Sequence, residues 1–110
     1  MAALLNPFYY TAMVGKWDCG MATPQHTPHG RGFASSLCYF HHANDYFTRE
    51  EGACKINSSK VGVDGKQSVK MFDFWRDSGP AHAANASARE TYEETIFLNE
   101  ALDIVVSSSL

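Results

Sequence analysis

The segment Lys60–Trp75, "KVGVDGKQSVKMFDFW", carries the sharpest local signal in the chain. Asp64-Gly65 stands between Val61 and Val63 on one side and the run from Val69 to Trp75 on the other. Asp-Gly favours the type I′ turn, which needs positive φ at both central residues and whose twist matches that of the strands it joins. The segment therefore predicts a tight β-hairpin. Upstream, "YFTREEGACKI" (Tyr46–Ile56) reads as another strand, with Gly52 marking a bulge, and Ala43, Asn44 and Asp45 supply a turn before it. In "FASSLCYFHH" (Phe33–His42), Phe33, Leu37 and Tyr39 alternate with Ala34, Cys38 and Phe40. Both faces of that strand are apolar, so it belongs in the interior of a sheet. "TPQHTPHGRG" (Thr23–Gly32) is a loop, and Gly15 to Met21 is a short β-compatible piece around Trp17.

Toward the C-terminus, Ser78-Gly79-Pro80 ends the strand. Residues 80 to 94, rich in Ala, read as a helix or as a loop. Thr95 to Leu98 and Asp103 to Ser107 look like two further short strands, with Asn99-Glu100 as the turn between them. Six or seven short strands and at most one helix, about 80–94, make the chain mainly β. Turn signals at hairpin spacing suggest an antiparallel meander forming a small closed or half-open barrel.

At 110 residues, the chain has material for one core, so residues 1–110 are expected to form a single domain. The formal charge is -3 and the basic residues are scattered, which disfavours nucleic acid as a partner because phosphates need a concentrated cationic face. No run approaches the roughly 20 apolar residues of a membrane span, so no membrane insertion is expected. A charged segment followed by a sustained apolar one is missing at the start. The expected location is cytoplasmic, or secreted or periplasmic if a signal peptide has been removed. Cys19, Cys38 and Cys54 form no C-x-x-C pair. They allow either three thiols or one disulfide with one thiol left over. "NSS" at Asn57 and "NAS" at Asn85 fit the glycosylation pattern, which matters only in a secreted protein.

Phe8, Gly15, Lys16 and Trp17, in "FYYTAMVGKW", are spaced as in the first motif of the lipocalins and wider calycins, and the segment resembles it over about ten residues. "NDY" at Asn44–Tyr46 is similar to a second lipocalin motif but arrives much earlier in the chain, and the chain is shorter than the usual eight-stranded member. The resemblance implies a barrel plugged near Phe8 and floored by Trp17, with Arg89 as the basic residue over the tryptophan.

Candidate chemistry is sparse. His26 and His29 in the loop, and His41 with His42 beside Asp45, offer imidazole and carboxylate donors for a transition metal. Adjacent His41 and His42 point to opposite faces of a strand, so only one of them can serve a given site. If the chain is an enzyme, Asp73 within "MFDFW" is the acid/base candidate, working with a histidine. Cys38 is poorly placed for a His41 or His42 base, and the phosphate-loop, dinucleotide and serine-hydrolase motifs are missing from the sequence. No cofactor is expected. The aromatic excess, seven Phe, five Tyr and two Trp, instead suggests non-catalytic binding of an apolar or aromatic small molecule by Trp17, Phe33, Leu37, Tyr39, Phe47, Met71 and Trp75. The alternative is an interaction module whose aromatic face or sheet edge docks a second copy, a homodimer, since aromatics enrich interfaces equally well.

Overall fold

The computed structural model describes residues 2–56, 67–81 and 91–108. The Asp64-Gly65 turn, Arg89, Asn57 and Asn85 lie outside the described residues. The chain is mainly sheet with one long helix. A single helical turn, α1 (Ala2–Leu5), precedes β1 (Ala12–Lys16), followed by β2 (Ser35–Tyr39), β3 (Glu50–Ile56), β4 (Gln67–Phe72), β5 (Trp75–Arg76), β6 (Gly79–Pro80) and α2 (Glu93–Ser107). The strands make two sheets, one of order β1-β2-β5-β6 and one of β3 with β4.

These sheets are open, and two departures from the sequence reading account for that. β1 and β2 run parallel, with Ala12 opposite Ser35 and Lys16 opposite Tyr39, so residues 17–34 cross over where a meander would have a hairpin. The expected loop holds two 3₁₀ turns, Pro24–His26 and His29–Arg31. Gly32 has φ +92 and a Cβ there would come within 2.5 Å of Ala3, so glycine is what lets the crossover pass beneath α1. Gly15 sits inside β1 at φ +109, which only glycine adopts without strain.

The second departure lies at the C-terminus, where the two expected strands are one helix. The buried and half-buried positions Glu93, Ile96, Phe97, Glu100, Ala101 and Ile104 recur at helical spacing and form one face. The β-branched Ile and Val residues suggested strands, but that periodicity outweighs their weak local preference once a sheet is present to cover. The Arg76 guanidinium donates from Nη1 and Nη2 to the two carboxylate oxygens of Glu100, each at 2.6 Å, which fastens α2 to β5. This long helix begins at Glu93, later than the span expected about 80–94, of which residues 82–90 lie outside the described residues.

Other expectations agree with the fold. β3 and β4 pair antiparallel, Glu50 with Phe72 and Ile56 with Gln67, which sets the strand read at Tyr46–Ile56 against the run read from Val69, while the tight Asp64-Gly65 hairpin itself lies outside the described residues. The register shifts between Glu51 and Cys54, around the glycine read as a bulge. β2 is buried on both faces. Leu37 and Tyr39 join Phe74 and Phe97 in the core, with Val14, Phe72, Ala81 and Ile96 packed around them. Phe97 lies 5.5 Å from Phe74 and 6.3 Å from Tyr39 between ring centroids. Phe74, which is 1% exposed, stands between β4 and β5 and joins sheet to helix. Replacing Phe74 with Ala should lower the unfolding free energy by about 3 to 5 kcal/mol, the usual cost of deleting a buried phenylalanine ring. Urea unfolding checks this, and a loss below about 1 kcal/mol would remove Phe74 from the centre of the core.

Candidate functional site

Two places concentrate chemistry. The first is a polar junction where the end of β2, the start of β3, the β4–β5 connection and the start of α2 meet. Asp73 is 2% exposed, and its carboxylate accepts the backbone N–H groups of Phe40 (3.0 and 3.1 Å to its two oxygens) and His41 (2.8 Å). These donors pair the carboxylate as a buried charge requires, and they fix its direction. His41 Nδ1 lies 3.0 Å from Asp73 Oδ2 and 2.9 Å from Glu51 Oε2. Asn44 donates its side-chain amide to the Asp73 carbonyl at 3.2 Å and to Glu93 Oε2 at 2.8 Å.

Arg49 completes the junction. It is buried at φ +58, its guanidinium donates to the carbonyls of Phe47 (3.0 Å) and Thr91 (2.8 Å), and it lies 5.4 Å from the centre of the Phe74 ring. Among the described residues, its Nε, Asn44 Oδ1 and Glu93 Oε1 have no hydrogen-bond partner. Burial pushes the Glu93 carboxyl up to about 7, against the opposing pull of Asn44 and Arg49. The same junction thus holds one carboxylate fixed by backbone N–H donors, Asp73, and one, Glu93, that among the described residues has the Asn44 amide on Oε2 and nothing on Oε1.

The second place is a hollow of about 390 Å³ on the sheet face opposite α2. Its walls are the crossover, from Met21 and Pro24 to His29, together with Phe40, Trp75 and Asp77. Phe40 and Trp75 stack at a tilt, 5.4 Å between centroids. Asp77 Oδ1 accepts the N–H of Ser36 at 2.8 Å, which holds the β5–β6 turn against β2. Trp17 donates its indole N–H to the carbonyls of Gly20 and His26, both at 2.9 Å, and meets Phe33 edge-on at 6.0 Å, so it pins the crossover in place.

The residues singled out from the sequence therefore separate. Trp75 lines the hollow. Leu37 and Tyr39 are in the core, Trp17 and Phe33 brace the crossover, and Phe47 and Met71 are about half exposed. His26 hydrogen-bonds Thr23, His29 borders the hollow, and His42 faces Lys16. Among the described residues, the donor group that could hold a metal is His41, Glu51 and Asp73, so His41 parts from His26 and His29. Asp73 does meet a histidine. Cys19 and Cys38 are free thiols, while the Cys54 side chain lies outside the described part. Burial, with Asp73 and Asp77 nearby, pushes the Cys38 thiol up to about 12, which leaves it a poor nucleophile. Phe40, Glu51 and Glu93 were not among the site residues singled out from the sequence; period-2 alternation placed Phe40 on the right face, but nothing local linked Glu51 to Asp73. No family model matches the chain, and the curated proteins contain no significant match to it.

Glu93 makes the junction sensitive to pH. Its folded-state pKa, about 7, lies above its ordinary 4.5, so between those values the folded protein keeps a proton that the unfolded chain has released. Its contribution to stability therefore falls as pH rises from about 4.5 through 7, and levels off above, a loss of roughly 3 kcal/mol in full. Urea unfolding at pH values on either side of that window should show the fall in the wild type and a flatter profile in Glu93→Gln. Parallel profiles would mean that Glu93 is ionised throughout.

Proposed function

We propose that the chain binds an apolar or aromatic small molecule without covalent chemistry, in the hollow between the crossover and the Phe40–Trp75 pair. The observation that carries this reading is the pairing of those two rings along one wall of a concave space. Ligand sites are concave and largely apolar, with a few polar groups to set orientation, and Met21, Ala22 and Pro24 beside Thr23, His29 and Asp77 have that character. A volume of about 390 Å³ sits at the small end of such sites and suits a ligand of one or two rings. Affinity would come mainly from buried ligand surface, at roughly 25 cal/mol per Å² before ordering costs. A lipocalin-like barrel is not needed for this, since the hollow lies outside the core.

Self-association is the second reading, favoured by the outer face of α2, where Leu98 and Leu102 are 58% and 53% exposed one turn apart. A stable dimer in sedimentation equilibrium that Leu102→Ser dissolves would favour it over the ligand site. For the ligand site, the probe is anilinonaphthalene sulfonate, followed by its fluorescence. Trp75→Ala should weaken saturable binding about tenfold or more, or about 1.4 kcal/mol, with Leu102→Ser leaving it unchanged. Binding that ignores Trp75→Ala sinks the proposal.

A further inference from the structure

We propose that His41, Glu51 and Asp73 form a site for one divalent transition-metal ion, independent of the ligand hollow. The three side chains come from three separate segments, the end of β2, β3 and the β4–β5 connection, and their donor atoms lie within 4.8 Å of one another. The two nitrogen-to-oxygen separations are 2.9 and 3.0 Å. Two ligands of a tetrahedral ion, each about 2.1 Å from it, stand about 3.4 Å apart, so the imidazole and each carboxylate need part by only about half an ångström to become neighbours in a coordination shell.

Charge points the same way. A neutral imidazole with its proton on Nδ1 can direct it well at only one of two carboxylates, with its proton on Nε2 it donates to neither, and an imidazolium still leaves one negative charge over. Among the described residues, neither Glu51 nor Asp73 has a Lys or Arg in ion-pair range. A dipositive ion with a neutral imidazole balances both carboxylates. One nitrogen and two oxygen donors suit zinc and its transition-metal neighbours better than calcium or magnesium, which take all-oxygen shells.

The surroundings supply what such a site needs. The backbone N–H groups of Phe40 and His41 hold Asp73 in one orientation from outside the donor set, and Asn44 holds the Asp73 carbonyl. His41 and Glu51 have side chains 32% and 28% exposed, so the ion has a way in from one side while Asp73 closes the other.

Zinc chloride titrated into chelator-treated, desalted protein, followed by calorimetry near neutral pH, tests the proposal. The expected result is one ion per chain, with Glu51→Gln and His41→Ala each weakening binding about tenfold or more. Glu51→Gln preserves shape at a partly exposed position, so it decides the matter even if His41→Ala fails to fold. No saturable binding overturns the proposal. So does binding that both substitutions leave unchanged, or that disappears only when His26 and His29 are replaced.

Discussion

The Asp73 carboxylate is the constraint on which the surrounding structure depends. A carboxylate 2% exposed is stable only if donors replace its water, and the donors here are main-chain N–H groups of Phe40 and His41 at the end of β2. The chain must therefore leave β4 at Phe72, turn Asp73 inward, and resume as β5 at Trp75. Asp73 N–H in turn donates to the Arg49 carbonyl at 2.8 Å. One residue thus ties the central strand of one sheet to the paired strands of the other, and it sets Phe74 into the core and Trp75 against the opposite face.

That division of faces explains why a core and a hollow coexist on one small sheet. Leu37 and Tyr39 point toward α2 and are sealed by Phe74 and Phe97. Phe40 and Trp75 point the other way, where the cover is a crossover built from 3₁₀ turns. Short turns held by Trp17 and glycine cannot interdigitate with a sheet as a helix does, so space is left beside the two rings. The polar junction lies where the two sheets and the helix meet, a region in which backbone ends from several elements converge. Its unsatisfied atoms, Arg49 Nε and Glu93 Oε1 among them, mark it as less completely paired than the core is packed.

What the sequence determined by itself was local. Alternation in Phe33–His42 placed a strand buried on both faces, Gly52 located the bulge, and the strands Glu50–Ile56 and Gln67–Phe72 were legible because strand patterning acts over a few residues. Asp73 stood out between aromatics as a carboxylate with unusual surroundings. Only the tertiary structure decided the rest. Parallel pairing of β1 with β2 leaves no trace in either strand's residues, because it depends on where an 18-residue crossover, Trp17 to Ala34, returns the chain. The helix from Glu93 to Ser107 was written in its spacing, yet its short β-branched runs fit strands until there was a sheet face to bury Ile96 and Phe97 against. The meeting of His41, Glu51 and Asp73 joins residues up to 32 positions apart, and such proximity is a property of the folded chain alone.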